Sequence, residues 1–313
     1  MSSPPAVTRL FGRVPSFSFE FFPPRSEAAA EALHCVICDL QELSPSFVSV
    51  TYGAGGSSRE LTRALVERIQ RERHIPTVPH ITCIGHSREE IEAILENYVK
   101  AGARAVLALK GDPPRSCADA LKRGAFEHAA ELVRFIRRWE ERRRLGSPLT
   151  IGVAGFCEGH PAEPNRLKEM DYLKEKMEAG ANYICTQLFF DNHAFFDFRE
   201  RCRMAGITQP ILAGIMPVTS VSGMRRMAEL SGGTNFPARL LKALRRARGD
   251  AAAIEKAGIH YASSQCAELL DNEVDGIHFY TLNKSRATRE IYRNLGIRSS
   301  HDANSPQDQP LTP

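Results

Sequence analysis

Pro15-Ser16-Phe17-Ser18-Phe19-Glu20-Phe21, then an amphipathic stretch over 26–43, then Ser46-Phe47-Val48-Ser49-Val50-Thr51-Tyr52: this strand–helix–strand succession decides the fold. Two short apolar runs joined by a helical pattern pair in parallel, because a parallel connection needs a crossover of a dozen residues or more. The succession then repeats. Further runs lie near 77–84, 104–109, 149–155, 183–190, 210–216 and 276–282. Helical patterns follow near 58–73, 87–101, 126–145, 165–179, 193–205, 221–230 and 285–295. Eight strand–helix units predict an α/β fold, a (β/α)8 TIM barrel, with extra helices over 237–270 before the eighth strand. An open doubly wound sheet is the alternative. Helices are expected to stop at Ala101-Gly102, Ala179-Gly180 and Ala205-Gly206, where glycine takes the left-handed cap. One domain is expected over 1–298. The polar, proline-rich tail over 299–313 is expected to be disordered.

The 313 residues carry a net charge of +4, which does not argue for a nucleic-acid partner. The clusters Arg137-Arg138, Arg142-Arg143-Arg144 and Arg245-Arg246-Arg248 fall in Glu- and Ala-rich helical patterns and read as solvated faces. No run of about 18 apolar residues is present to span a membrane. Met1-Ser2-Ser3-Pro4-Pro5 lacks the basic-then-apolar pattern of a secretion signal. Eight cysteines spread through apparent core elements predict reduced thiols and a cytoplasmic location.

A strand alternates its faces, so Phe17, Phe19 and Phe21 share one and Ser18 and Glu20 the other. Taking a carboxylate out of water is costly unless it finds a partner. A carboxyl walled by aromatics at the end of the first strand is therefore a candidate proton donor. A salt-bridged structural glutamate is the alternative. In a barrel the active site lies at the C-terminal strand ends. Polar residues collect there: Thr51, Tyr52, His80, Thr82, Lys110, Asp112, Glu158, His160, Thr186 and Gln187. The eighth strand adds His278, Tyr280, Thr281, Asn283, Lys284 and Arg286. Gly111 permits close approach, and Pro113-Pro114 stiffen the loop beyond Asp112.

Other motifs carry less. Gly53-Ala54-Gly55-Gly56-Ser57-Ser58 resembles a dinucleotide turn, but it follows the second strand and ends in Ser, which argues against a Rossmann reading. Cys35-Val36-Ile37-Cys38 falls in a helical pattern with no second pair at zinc spacing, so core packing is expected. A metal site from His80, Cys83, His86, Cys157 and His160 can be drawn, though no spacing demands it, and no metal is expected.

Taken in order, the motifs resemble the methylenetetrahydrofolate reductase family, in its short bacterial form with the catalytic domain only. The segments are 17–24, 47–53, Pro79-His80-Ile81-Thr82-Cys83, 108–112, Leu173-Lys174-Glu175-Lys176, Ala179-Gly180-Ala181-Asn182, 186–191, Gly214-Ile215-Met216-Pro217 and 278–283. The resemblance covers about residues 15–297 and implies a barrel that holds FAD non-covalently. It implies NADH or NADPH as electron donor, methylenetetrahydrofolate as acceptor, ping-pong kinetics and a homo-oligomer, dimer or tetramer. By resemblance Glu20 is the general acid that protonates the folate N10, and Asp112 lies beside flavin and pterin. Thr51, Tyr52, Ala54, His80, Lys110, Gly111, Asp112, Ala129, Phe156, His160, Glu169 and Lys176 fall at cofactor positions. Glu20, Asp112, Gln187 and Lys284 fall at substrate positions.

The chain departs from the family pattern at several places. Phe156 stands where some bacterial members carry Tyr. Gly223 and Met227 replace a folate-contacting glutamine and a phenylalanine. Tyr172 and Glu175 sit where polar or basic cofactor contacts are common. Two other readings stay open: a metal-dependent barrel hydrolase or lyase using His80, Cys157 and His160, and a non-catalytic subunit that keeps the fold.

Overall fold

The structure, a computed structural model, describes residues 15–52, 59–111, 124–231, 234–300 and 302. The eight expected strands all form: β1 Ser16–Phe21, β2 Phe47–Val50, β3 Thr77–Thr82, β4 Ala105–Leu109, β5 Thr150–Gly155, β6 Tyr183–Thr186, β7 Ile211–Ile215 and β8 Gly276–Tyr280. They pair in parallel in chain order and close into a barrel, with Ser18 opposite His278 and Glu20 opposite Tyr280 across the β1–β8 seam. The helices described are α1 Glu27–Gln41, α2 Arg59–Arg73, α3 Arg88–Lys100, α4 Ala129–Arg143, α5 Arg166–Glu178, α6 Asn192–Met204, α7 Val221–Ser231, α8 Ala238–Arg246, α9 Ala251–Asp271 and α10 Arg286–Asn294. The extra helices before β8 are α8 and α9.

Strand alternation sorts the apolar residues into layers. Outward-facing side chains such as Phe17, Phe19, Val106 and Ile277 pack under the helices in one continuous core. Inward-facing Phe47, Val78, Leu107, Tyr183 and Leu212 fill the barrel itself, as the fold requires of its interior. Gly152 makes room there: a Cβ would stand 2.2 Å from the Tyr183 ring. A third cluster of Leu188, Phe190, Met216, Met224, Leu240, Leu244 and Ile254 seats α7, α8 and α9 beside the exits of β6 and β7.

Helix starts follow local chemistry. Ser87 and Glu90 form a reciprocal capping box on α3. Asn165 and Asp191 accept backbone N–H groups at the starts of α5 and α6. At the far end, order continues past residue 298: Ser300 is buried, and its hydroxyl donates to the Leu43 carbonyl at 2.9 Å. The CxxC pair does not serve the core as expected, since Cys35 is exposed and Cys38 half-buried on α1. Among the described residues no helix is long and apolar enough to cross a membrane.

Gly258 fixes where α9 sits. A Cβ there would lie 1.7 Å from the Val218 carbonyl oxygen, so helix and β7 exit meet flush. Gly258→Ala should cost about 1–3 kcal/mol and lower the Tm by roughly 3–10 °C in a thermal melt. An unchanged Tm would show that the contact is not made.

Candidate active site

The inward face of β1 carries Ser18 and then Glu20. Phe17, Phe19 and Phe21 do not wall that carboxyl, contrary to the sequence reading. They point out toward the helices, where Phe17 and Phe19 meet Tyr292 at centroid distances of 5.3 and 6.2 Å. The reason is the pleat itself: neighbours along a strand face opposite ways. What Glu20 faces is histidine. Its Oε2 lies 3.5 Å from His80 Nε2 on β3 and 3.9 Å from His278 Nε2 on β8. Both distances allow charge coupling and are too long for a hydrogen bond. The carboxyl keeps a path to solvent, with its side chain 19% exposed.

His80 is buried, and its Nε2 has no hydrogen-bond partner. Burial pushes this imidazole down to about 4; Glu20 pulls it partly back, and His278 pushes the same way as burial. His80 is thus neutral at neutral pH. Thr82 follows on the same face of β3, and its buried hydroxyl is also unpartnered. Below Glu20, His278 is held by two hydroxyls: Ser18 Oγ at 2.7 Å from Nδ1 and Ser49 Oγ at 3.3 Å from Nε2. Each hydroxyl can donate or accept, so either tautomer of His278 is satisfied. The ring stacks on Phe47 at 6.0 Å. Ser18, Ser49 and His278 form a hydrogen-bonded polar group beneath Glu20, whose carboxyl lies 3.9 Å from Nε2 of that ring and ends the column at the barrel mouth. Sequence reading placed His278 on the rim with the other eighth-strand residues and overlooked the two serines. The signal was available, since Ser18 shares its strand face with Glu20.

The exit of β8 clasps that of β1. Thr281 Oγ1 donates to the Glu20 carbonyl at 2.6 Å. Asn283 accepts from Phe22 N at 3.0 Å and donates to Phe22 O at 2.8 Å. Leu282 and Asn283 adopt left-handed φ values of 51° and 56° to make this turn.

The other expected residues ring the mouth. Thr51 and Tyr52 follow β2. The Tyr52 hydroxyl meets His86 Nε2 at 3.1 Å, and burial pushes its pKa up to about 12 against the pull of Arg59. Lys110 and Gly111 follow β4, Lys110 exposed. Gly111 has φ +85°, and a Cβ would stand 2.8 Å from Thr82 and Ile84. Ala129 opens α4. Phe156 follows β5 and meets the His160 ring edge-on at 4.7 Å, while His160 Nδ1 accepts from Ala162 N. Phe156 and Gln187 share a small cavity of about 40 Å³ with Ser231 and Thr234.

Glu169 and Lys176 lie on α5, and Lys176 Nζ donates to the Ala154 carbonyl at 2.7 Å. Burial pushes Lys176 down to about 8, with Glu169 opposing. Burial raises Glu169, with Arg166 and Arg201 opposing; its buried Oε2 makes no hydrogen bond and lies 3.7 Å from Arg166 Nη1. Lys284, beyond β8, is exposed. Of the expected set, the structure brings Glu20 and His80 into direct reach and joins Phe156 to Gln187 and His160. No contact ties Lys284 to Glu20 among the described residues. Asp112 and Ala54, with the 53–58 turn, lie outside the described residues.

Of the departures, Tyr172 is occupied by His128, stacked at 5.0 Å, with Lys168 Nζ 5.6 Å from its ring centre. Gly223 N donates to Ser220 Oγ, and Met227 packs on the α7–α9 cluster. The metal reading finds no assembled ligand set. Burial raises the Cys157 thiol, which disfavours a thiolate ligand, and the imidazole of His80 sits against Glu20. No group of three His, Cys, Asp or Glu among the described residues is arranged around a common point.

With the barrel and its mouth in place, the relatives agree. The chain matches the methylenetetrahydrofolate reductase family model over residues 9–296. It is 33% identical over 293 residues to a Pectobacterium carotovorum protein, 5,10-methylenetetrahydrofolate reductase, covering 94% of each chain. The chain belongs to the methylenetetrahydrofolate reductase family. It is 37% identical over 292 residues to methylenetetrahydrofolate reductase (NADH) 1 of Arabidopsis thaliana, covering 90% of this chain and 48% of that protein. The chain thus spans about half the length of its plant and yeast relatives. A Clostridium thermocellum protein described as binding two copies of 5-methyl-5,6,7,8-tetrahydrofolic acid shares the fold, with TM-score 0.61 at 15% identity, covering 93% of this chain and 98% of its own.

His80 gives a pH signature. Its folded value of about 4 lies below the ordinary 6.5, so on acidification the unfolded chain takes up a proton first. The stability tied to neutral His80 is present above pH 6.5 and is lost as pH falls from 6.5 toward 4. Urea midpoints should fall across that window, and less steeply in His80→Gln. Equal slopes would contradict the assignment.

Proposed function

We propose that this chain reduces 5,10-methylenetetrahydrofolate to 5-methyltetrahydrofolate at the barrel mouth, with NADH or NADPH as donor, non-covalent FAD as carrier and ping-pong kinetics. The observation that carries the reading is Glu20: an inward carboxyl at the mouth, open to solvent, against a neutral buried histidine, in a chain of this family. The fold is also one on which the Clostridium protein holds a methyltetrahydrofolate.

The residues present fit a flavin. Thr82 Oγ1, His80 Nε2 and Glu169 Oε2 are buried polar atoms without a hydrogen bond, the last two with only longer charge contacts to Glu20 and Arg166, as expected where the polar edge of a ring or ribose is to be met. Thr51, Tyr52, His80, Lys110, Gly111, Ala129, Phe156, His160, Glu169 and Lys176 would hold it, with Ala54 and Asp112 completing the set. When bound, FAD supplies the hydride that the reduction needs. Phe156 offers a flat face for stacking, and Gly111 keeps the β4 exit free of side chain. Lys110, exposed beyond β4, and Lys176, which donates to the Ala154 carbonyl, would supply positive charge to a diphosphate.

Glu20 handles the proton. The bridging methylene accepts hydride only once its bond to N10 opens, and opening requires a proton on N10. Glu20 gives that proton. Neutral His80 does not compete as a cationic acid, and the carboxyl exchanges its proton through its opening to solvent. Asp112 orients the pterin, Gln187 takes substrate or nicotinamide in turn, and Lys284 meets the glutamate carboxylates of the folate tail. The same reading includes a cytoplasmic homo-oligomer, dimer or tetramer, in keeping with the free thiols of the seven described cysteines.

Purified protein loaded with FAD should bleach on anaerobic addition of NADH or NADPH and recolour with methylenetetrahydrofolate. A protein that stays unreactive after FAD loading would overturn the reading. Glu20→Gln should keep FAD and its reduction by nicotinamide and lose roughly 10²–10⁴-fold in the folate half-reaction. Equal loss in both halves would refute the role given to Glu20.

A further inference from the structure

Away from the mouth, α1 and α2 stand apart and leave a cleft of about 410 Å³ on the barrel flank. Its walls are apolar: Leu33 and Ile37 from α1, Leu65 and Ile69 from α2, with Leu61 43% exposed at its edge. Its polar end is unusual. His34 of α1 is met by two guanidinium groups of α2, Arg68 Nη2 at 3.1 Å from Nδ1 and Arg73 Nη2 at 2.6 Å from Nε2. A neutral imidazole has one acceptor nitrogen and an imidazolium has none. At least one arginine N–H therefore faces a nitrogen that cannot accept it. Glu72 takes the Nε of Arg68 at 3.1 Å. Arg73 has no carboxylate partner among the described residues, and its Nε is buried without any hydrogen-bond partner. An apolar trough thus runs to a pair of guanidinium groups short of an acceptor.

We propose that the α1–α2 cleft binds an amphipathic monocarboxylate, its hydrocarbon body between the helices and its carboxylate between Arg68 and Arg73. A carboxylate supplies the acceptor lone pairs that His34 cannot, and guanidinium groups take carboxylates in paired hydrogen bonds. The volume falls in the range of small-molecule sites, about 300–1,000 Å³. The site is separate from the mouth, and nothing in the proposed reduction uses it. A second copy of the chain laid in the same trough is the competing occupant; it would bring apolar surface but leave Arg73 without an anion.

Isothermal titration of the FAD-loaded full chain with octanoate and with octan-1-ol separates these. Octanoate should bind once per chain and at least about tenfold more tightly than octan-1-ol. Arg73→Met should weaken octanoate about tenfold and leave octan-1-ol unchanged. Ala64→Trp, at an exposed position inside the cleft, should remove both without changing the sedimentation coefficient. Octan-1-ol binding as tightly as octanoate would overturn the proposal. So would octanoate binding that survives Ala64→Trp, or a fall in oligomer mass on Ala64→Trp.

Discussion

A closed barrel cannot leave polar side chains unattended inside it, and β1 sends three of them in, Ser16, Ser18 and Glu20. Ser18 and Glu20 point into a space lined in part by Phe47, Val78, Leu107, Tyr183 and Leu212. An unpaired polar group there costs several kcal/mol. Ser18 is met by His278, and His278 in turn by Ser49 from the neighbouring strand. Glu20, one pleat higher, stands between His278 and His80 and reaches the mouth. The polar column therefore runs from the barrel centre to the place where substrate would arrive. His80 stays neutral because burial outweighs the attraction of Glu20.

Position follows from the seam as much as from the strands. The side chains of Thr281 and Asn283 tie the β8 exit to the backbone of Glu20 and Phe22 by hydrogen bonds, at the cost of two consecutive left-handed residues. Non-glycine residues in that conformation are uncommon and mark sites where surrounding structure over-determines the backbone. Here the clasp fixes the end of β1, and with it the direction of the Glu20 carboxyl. The α7–α9 cluster performs a similar service beside β6 and β7, walling the side of the mouth near Gln187.

The fold was legible because strand and helix periods alternate cleanly, and each of the eight apolar runs became a strand. Glu20 was legible as well, from the alternation Phe17-Ser18-Phe19-Glu20. Its surroundings were not. Which residues face Glu20 depends on the stagger between β1, β3 and β8, and no local pattern in any one strand encodes it. The aromatics beside it in sequence proved to lie on the opposite face, while its actual neighbours, His80 and His278, are 60 and 258 residues away. Cys35 and Cys38 misled for a related reason: helical spacing shows that residues share a face, but only packing decides which face is covered. The α1–α2 cleft left no sequence signal, since it arises from the separation of two helices.

The mouth around Glu20 is the proposed meeting place of folate and flavin. A crystal structure of the FAD-loaded chain soaked with 5-methyltetrahydrofolate tests this most directly. The predicted result puts the folate N10 within hydrogen-bond reach of the Glu20 carboxyl, directly or through one water, and the pterin beside Gln187. Folate bound on another face, or with Glu20 still facing only His80 and His278, would contradict it.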